Sequence, residues 1–150
     1  MPTGIKKGVF ANAGTAAIEF ALVAPFLLIL LAGTIEIGFS IWQQMEVYAA
    51  AEAGAGYAIK NGWDASAISS AVVNATDETT ITASPAPVEF CGCPATSGVT
   101  TVACTATCTG GYTPSVYAKV SASIPHPVIL SNLGLPIPAT LTATATVRLQ

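Results

Sequence analysis

Charge is scarce in this chain. Of its 150 residues, 9% are Asp, Glu, Lys or Arg, against roughly 25% in soluble globular proteins. A large share of such a chain is expected to lie out of water. Bases are fewest, five scattered residues in a chain of net charge −3. No basic stripe exists to neutralise a phosphate backbone, which argues against nucleic-acid binding. Histidine occurs once, as His126 between Pro125 and Pro127, in what reads as a surface loop. No activated serine or cysteine nucleophile with an orienting acid accompanies it, so a noncatalytic protein without cofactor is expected.

What the chain does have is concentrated. Phe20 to Ile35 carries no charge and reads FALVAPFLLILLAGTI. Extended to Trp42 it supplies some 22 residues, about 33 Å of helix, enough for a hydrocarbon core of about 30 Å. Lys6 and Lys7 precede the run and the next base is Lys60. The positive-inside rule therefore keeps the N-terminus cytoplasmic and exports the chain beyond Trp42, with Trp42 itself suited to an interfacial belt. Glu36, near the far end of the run, is expected to reach the interface, with a partner in a helix bundle as the other reading.

The kind of N-terminal signal is decided by the cleavage sites present. Ala11-Asn12-Ala13 has the small-x-small form of a secretory site but precedes the apolar core instead of following it. Leu31-Ala32-Gly33-Thr34 has the outline of a lipoprotein box, but Thr34 offers no thiol to lipidate. What remains is cleavage on the cytoplasmic side. Gly14 stands directly before Thr15-Ala16-Ala17-Ile18, and Glu19-Phe20 then opens the apolar run. Gly14 alone would be a flexible residue and Glu19 alone a first-turn acid complementing the helix dipole.

Together, a basic leader, Gly, four residues, Glu, an aromatic and an apolar helix resemble a prepilin processing site. The longer text GTAAIEFALVAPFLLILLAGTIEIGFSIW, with Ala49 to Ala58 (AAAEAGAGYA) downstream, is similar to the TadE-like pilin-related proteins of tight-adherence (Tad) pilus systems. The later Cys-x-Cys and the closing LTATATVRLQ also fit the ectodomain of that family. One departure is the absence of a base in the small-residue helix after the span, where only Glu46 and Glu52 are charged before Lys60.

The resemblance implies cleavage between Gly14 and Thr15 by a prepilin peptidase, with Glu19 and Phe20 as the processing and assembly determinants. It also implies a minor pilin or pseudopilin that helps assemble a Tad pilus used for surface attachment. Its partners would be the peptidase, the Tad membrane platform, the major pilin, related minor pilins and membrane lipid. The protein would sit in the bacterial inner membrane as a single-pass chain, or enter a surface pilus. A minor pseudopilin of a type II secretion system and an uncleaved membrane-anchored sensor or adhesin remain as alternatives.

The fold class expected is α+β. Residues 1–14 form a leader interrupted by Pro2, Gly4, Gly8 and Gly14, 15–42 the transmembrane helix, and 43–150 an exported helix extension with a disulfide-stapled domain. From Thr15 the text stays helix-compatible, with Pro25 as a local bend, up to the stop at Asn61-Gly62. Past Trp42, Met45, Tyr48, Ala49, Glu52, Ala53, Gly56 and Tyr57 recur at spacings of three and four and offer a small-residue face for close packing. Asp64 is an N-cap for a short helix to about Asn74 that buries Ile68 and Val72, with Trp63 packed beneath it. An antiparallel sheet of three to four strands comes next, from Thr79–Ala83, Pro87–Cys91, Val116–Ile124 and Ala139–Leu149. The connection IPHPVILSNLGLPIP exposes apolar residues that could mark a contact surface.

Cys91, Cys93, Cys104 and Cys108 all fall in the part expected to be exported. Four thiolates converging on zinc are one reading, and an oxidising compartment favours the other, two disulfides. Were the segment one hairpin, nested pairs of Cys91 with Cys108 and Cys93 with Cys104 would hold a nearly constant register.

Overall fold

The structure, a computed structural model, describes residues 11–127 and 138–149. The leader up to residue 10 and the apolar connection over 128–137 lie outside the described residues. The chain divides into two compact units, residues 1–38 and 39–150. The order of elements is α1 (Ala11–Asn61), α2 (Ala65–Val73), β1 (Val88–Ala95), β2 (Gly98–Thr101), β3 (Ser115–Pro125) and β4 (Thr140–Arg148). This is an α+β fold with a long N-terminal apolar helix, a short helix and a four-stranded antiparallel sheet.

In the first unit α1 begins at Ala11, before the expected Thr15, and takes Gly14 into the helix. Alanines flank the site, and one interior glycine costs only about 1 kcal/mol relative to Ala. The helix continues through Pro25. Its most apolar stretch has a mean hydropathy of 2.3 with none of it buried, and Phe20, Leu22, Phe26, Leu28 and Leu30 all stand exposed. By length and composition this is a candidate membrane span. The Thr34 hydroxyl donates to the Leu31 carbonyl at 2.8 Å, which satisfies a polar group within the helix itself. Glu36, near the end of this unit, is 2% exposed.

In the second unit, the rest of α1 packs through Val47, Ala50, Ala51, Gly54, Ala55 and Ala58. These recur at one helical period. The face expected to pack was the neighbouring one, and its members Met45, Tyr48 and Glu52 are exposed. Glu52 and the Tyr48 hydroxyl would need partners if buried, whereas the chosen face carries no polar side chain beyond Gln43. Gly54 marks the closest approach, because a Cβ there would stand 2.5 Å from Val72 Cγ2 and 2.8 Å from Val120 Cγ1.

α1 ends as its sequence indicates, with Gly62 at φ +83° and its amide bonded to the Ala58 carbonyl. Asp64 then caps α2, its carboxylate accepting from the Ser66 and Ala67 amides at 2.9 and 3.0 Å. The Ala67 amide bond, helped by those of Ser66 and opposed by slight desolvation, holds this carboxyl below its ordinary pKa. Ile68 and Val72 are fully buried, and Trp63 packs partly buried against the same core.

The sheet order is β2-β1-β3-β4. β3 lies centrally and gives Ala118, Val120, Ala122 and Ile124 to the core, opposite Leu141 and Ala143 of β4. Two strand expectations change. Thr79–Ala83 contributes only an isolated bridge of Thr82 to Ser123, and β1 runs on through Pro94 to pair with the unexpected β2. Pro94 is tolerated because bonding alternates along an antiparallel pair. The bond from Val102 N to Cys91 O puts the exchanging β1 residues at odd positions, so no amide is needed from residue 94.

Gly54 and Gly56 should therefore respond oppositely to alanine. A Cβ at 56 meets nothing within 4 Å, so Gly56→Ala is expected to raise stability by about 0.5–1 kcal/mol through helix propensity. Gly54→Ala overpacks the helix-sheet contact and is expected to cost about 1–3 kcal/mol. Urea unfolding of the full chain in detergent measures both.

Candidate functional site

Three constellations carry chemistry. The first is the motif at the start of α1. Gly14, Thr15, Glu19 and Phe20 lie within the first turns of the helix, and all four are exposed. Thr15 and Glu19 are four residues apart, so they stand one turn above the other on a shared face. Space around Gly14 is open, with nothing within 4 Å of the position a Cβ would take.

The second is the cysteine cluster. Cys91 pairs with Cys104 and Cys93 with Cys108. The four cysteines are brought together as expected, and sulfurs bound in disulfides are not available as the thiolates a zinc site requires. The connectivity corrects the nested expectation. That expectation took residues 91–108 as one hairpin, but the hairpin closes early, with Ala95 opposite Gly98. Past Val102 the chain leaves the ladder and turns back through a loop in which Cys108 N bonds to Tyr112 O at 2.8 Å. Gly110 and Gly111, at φ +95° and +84°, permit that turn. Cys104 therefore comes beside the nearer strand position, Cys91, and Cys108 beside Cys93.

The third was not anticipated. His126, expected in a surface loop, is 3% exposed at the end of β3, and Gln43 of α1 is 4% exposed. Its Nδ1 hydrogen-bonds to Gln43 Oε1, its backbone amide donates to Ala139 O at 2.8 Å, and its ring lies 6.0 Å from that of Phe39. The Gln43 amide oxygen can only accept, so Nδ1 is the donor of this bond. Nε2 is buried without a hydrogen-bond partner among the described residues. The arrangement ties the first turn of α1 in the second unit to the end of the central strand. A signal for it existed in the sequence, because Gln43 precedes Val47 and Ala50 by four and seven residues and so shares their buried face.

The described residues thus contain one helix long and apolar enough to cross a membrane, continuing into a stapled α+β domain. Residues 14–56 match the family model described as TadE-like protein. The match opens at Gly14, takes in Glu19, the whole apolar segment and the small-residue stretch of α1, and ends before α2. No curated protein and no solved structure matches the chain.

Peptide mapping without reduction should recover the pairs 91–104 and 93–108. The intervening separations of 13 and 15 residues correspond to about 3 kcal/mol of loop-closure entropy each. Replacing either pair by alanine should lower unfolding stability by about that amount. Nested pairs or four free thiols on the map would overturn this connectivity.

Proposed function

We propose that this chain is a noncatalytic TadE-like minor pilin or pseudopilin that takes part in assembling a Tad pilus used for surface attachment. The observation that carries the reading is the family match over residues 14–56, whose first residue is the glycine that would precede the scissile bond. In this reading a prepilin peptidase cuts between Gly14 and Thr15, with Glu19 and Phe20 as recognition elements. The helix remains in the bacterial inner membrane with its start at the cytoplasmic face, and the stapled domain is exported. The Tad membrane platform, the major pilin, related minor pilins and lipid are its partners.

Cutting at this bond requires the first turns of α1 to unwind, since a peptide held in a helix is not presented as an extended substrate. Gly14 lowers that cost, having the weakest helix preference after proline. The new amino group at Thr15 is a cation, and Glu19 of a neighbouring subunit is its counterpart. Two unit charges 4 Å apart attract by about 1 kcal/mol in water and about 4 kcal/mol at an effective dielectric of 20. The pair therefore fixes helix register only where the bilayer edge excludes water. Within one chain the same two groups are helix neighbours, which is the competing arrangement.

Intact mass and N-terminal sequencing of protein from its native membrane should give a chain beginning at Thr15. A chain beginning at Met1, or after residue 33, would sink the pilin reading. Glu19→Gln keeps shape and removes charge, and the variant is expected to insert and be cleaved but to lose coassembly with partner pilins. Cleaved Glu19→Gln protein that coassembles at wild-type levels would leave the intersubunit charge pair wrong while sparing the cleavage site.

A further inference from the structure

The edge strands of the sheet are β4 and β2, and among the described residues no further strand pairs with either. An edge strand carries a row of backbone donors and acceptors ready for another strand. In β4, bonds from His126 N to Ala139 O and from Leu149 N to Val116 O show that odd-numbered residues bond to β3. The backbone of Thr142, Thr144, Thr146 and Arg148 therefore points outward. The Thr142 carbonyl accepts from the Gln44 side chain at 3.1 Å. Among the described residues, nothing pairs with the outward groups of Thr144, Thr146 and Arg148. In β2 the bond from Val102 N to Cys91 O turns Gly98 and Thr100 toward β1 and leaves Val99 and Thr101 outward.

The two edges are lightly protected. β4 pairs with β3 without a bulge and has no proline, its one charge being Arg148 at its end, and β2 has no charge but is only four residues long. Beside the outward part of β4 runs a groove of about 440 Å³, bounded on the helix side by Glu52, Ala55 and Gly56. Gly54 is explained by the core it touches. Gly56 is not, because among the described residues its missing side chain makes room for nothing, and it costs helix stability.

The directions of the edges select the occupant. β1 is antiparallel to β2 and to β3, and β3 is antiparallel to β4, so β2 and β4 run oppositely. Two copies standing in the same orientation can therefore join β4 of one to β2 of the next as a regular antiparallel pair. An antiparallel β4-to-β4 pair would instead need a half-turn between copies about the sheet normal, whereas β4 to β2 needs only a translation. The outer faces also fit. Val99 lies beside Phe90, which stacks on Tyr117 on the face away from the α1 core, so Gly98 and Thr100 are the β2 residues that face α1.

We propose that this protein associates with a second copy edge to edge, Thr144–Arg148 of β4 pairing with Gly98–Thr101 of β2, and that Gly98 and Thr100 of the second copy enter the groove beside Gly56. The contact is heterologous, leaves one free edge of each kind at its ends, and so extends in rows. Its few hydrogen bonds make it weak in dilute solution. Confinement in one membrane raises the effective concentration, a point that rests on the anchored reading above.

The test places a photo-crosslinking residue at Thr146 in the full chain, with isotopically heavy and light chains mixed in liposomes. Crosslinks from position 146 of one isotope to residues 98–101 of the other are expected. Val99→Pro removes an outward amide without touching the β1–β2 bonds and should cut their yield roughly tenfold. Gly56→Leu fills the groove and should do the same. Links only within one chain, to lipid, or from 146 to 146 overturn the proposal, as does a yield that neither variant changes. Alkaline extraction of the same liposomes reports on anchoring separately, so an anchored chain without the link and an extractable chain with it are distinguishable results.

Discussion

At Gly54 the backbone of α1 comes so near to Val72 and Val120 that a single methyl group would collide with both. Nearly every other feature of the domain depends on that approach. Ala50, Ala51, Ala55 and Ala58 extend the contact on the same face, and Ala118, Ala122 and Ala143 answer it from the sheet. Small residues on both sides let the backbones close in, and each contact then contributes modest dispersion energy over many atoms. The same approach brings Gln43 within reach of His126 and Gln44 within reach of the Thr142 carbonyl. Polar groups at the margin of the contact are thus satisfied by the geometry that the alanines and Gly54 allow.

A core built largely from alanine buries little area per residue, and a domain of this size is marginal even with larger side chains. The disulfides compensate at the side of the sheet that α1 does not secure. Both hold β1 to the chain following β2, which has only the four-residue pairing of Gly92 to Ala95 with Gly98 to Thr101 to keep it in place. Their crossed connectivity closes two overlapping loops, so each bridge also restricts the loop closed by the other. Asp64 and Gly62 perform the corresponding task between the helices, ending α1 and starting α2 within three residues.

One helix changes its pattern partway along. Over residues 20–35 it is apolar on every side, the pattern of a candidate membrane span. From Gln43 to Ala58 it has a small, buried face and an outer face carrying Met45, Tyr48 and Glu52. That outer face was the one sequence spacing suggested for packing. Its small residues at Ala49, Ala53 and Gly56 are equally good at permitting close approach, and spacing alone cannot rank two faces that are both small.

Sequence alone determined the features governed by local rules. An uncharged run, a glycine after Asn61, an acid before Ala65 and β-branched alternation in the last two strands each act within a few residues, where period and backbone preference decide. They made the apolar helix, its stop, the α2 cap and the strands β3 and β4 legible, and they brought the four cysteines into one segment. Tertiary structure decided which face of α1 meets the sheet, which cysteine meets which, and that His126 is buried against Gln43. Each of those depends on where two distant surfaces come to rest. The cysteine pairing turned on a hairpin closing at Ala95 and Gly98 instead of midway between Cys93 and Cys104, and His126 was enclosed because α1 crosses the end of β3. No local preference encodes such choices, since they are set by which close packing of the whole chain leaves the fewest polar groups unpaired and the least space unfilled.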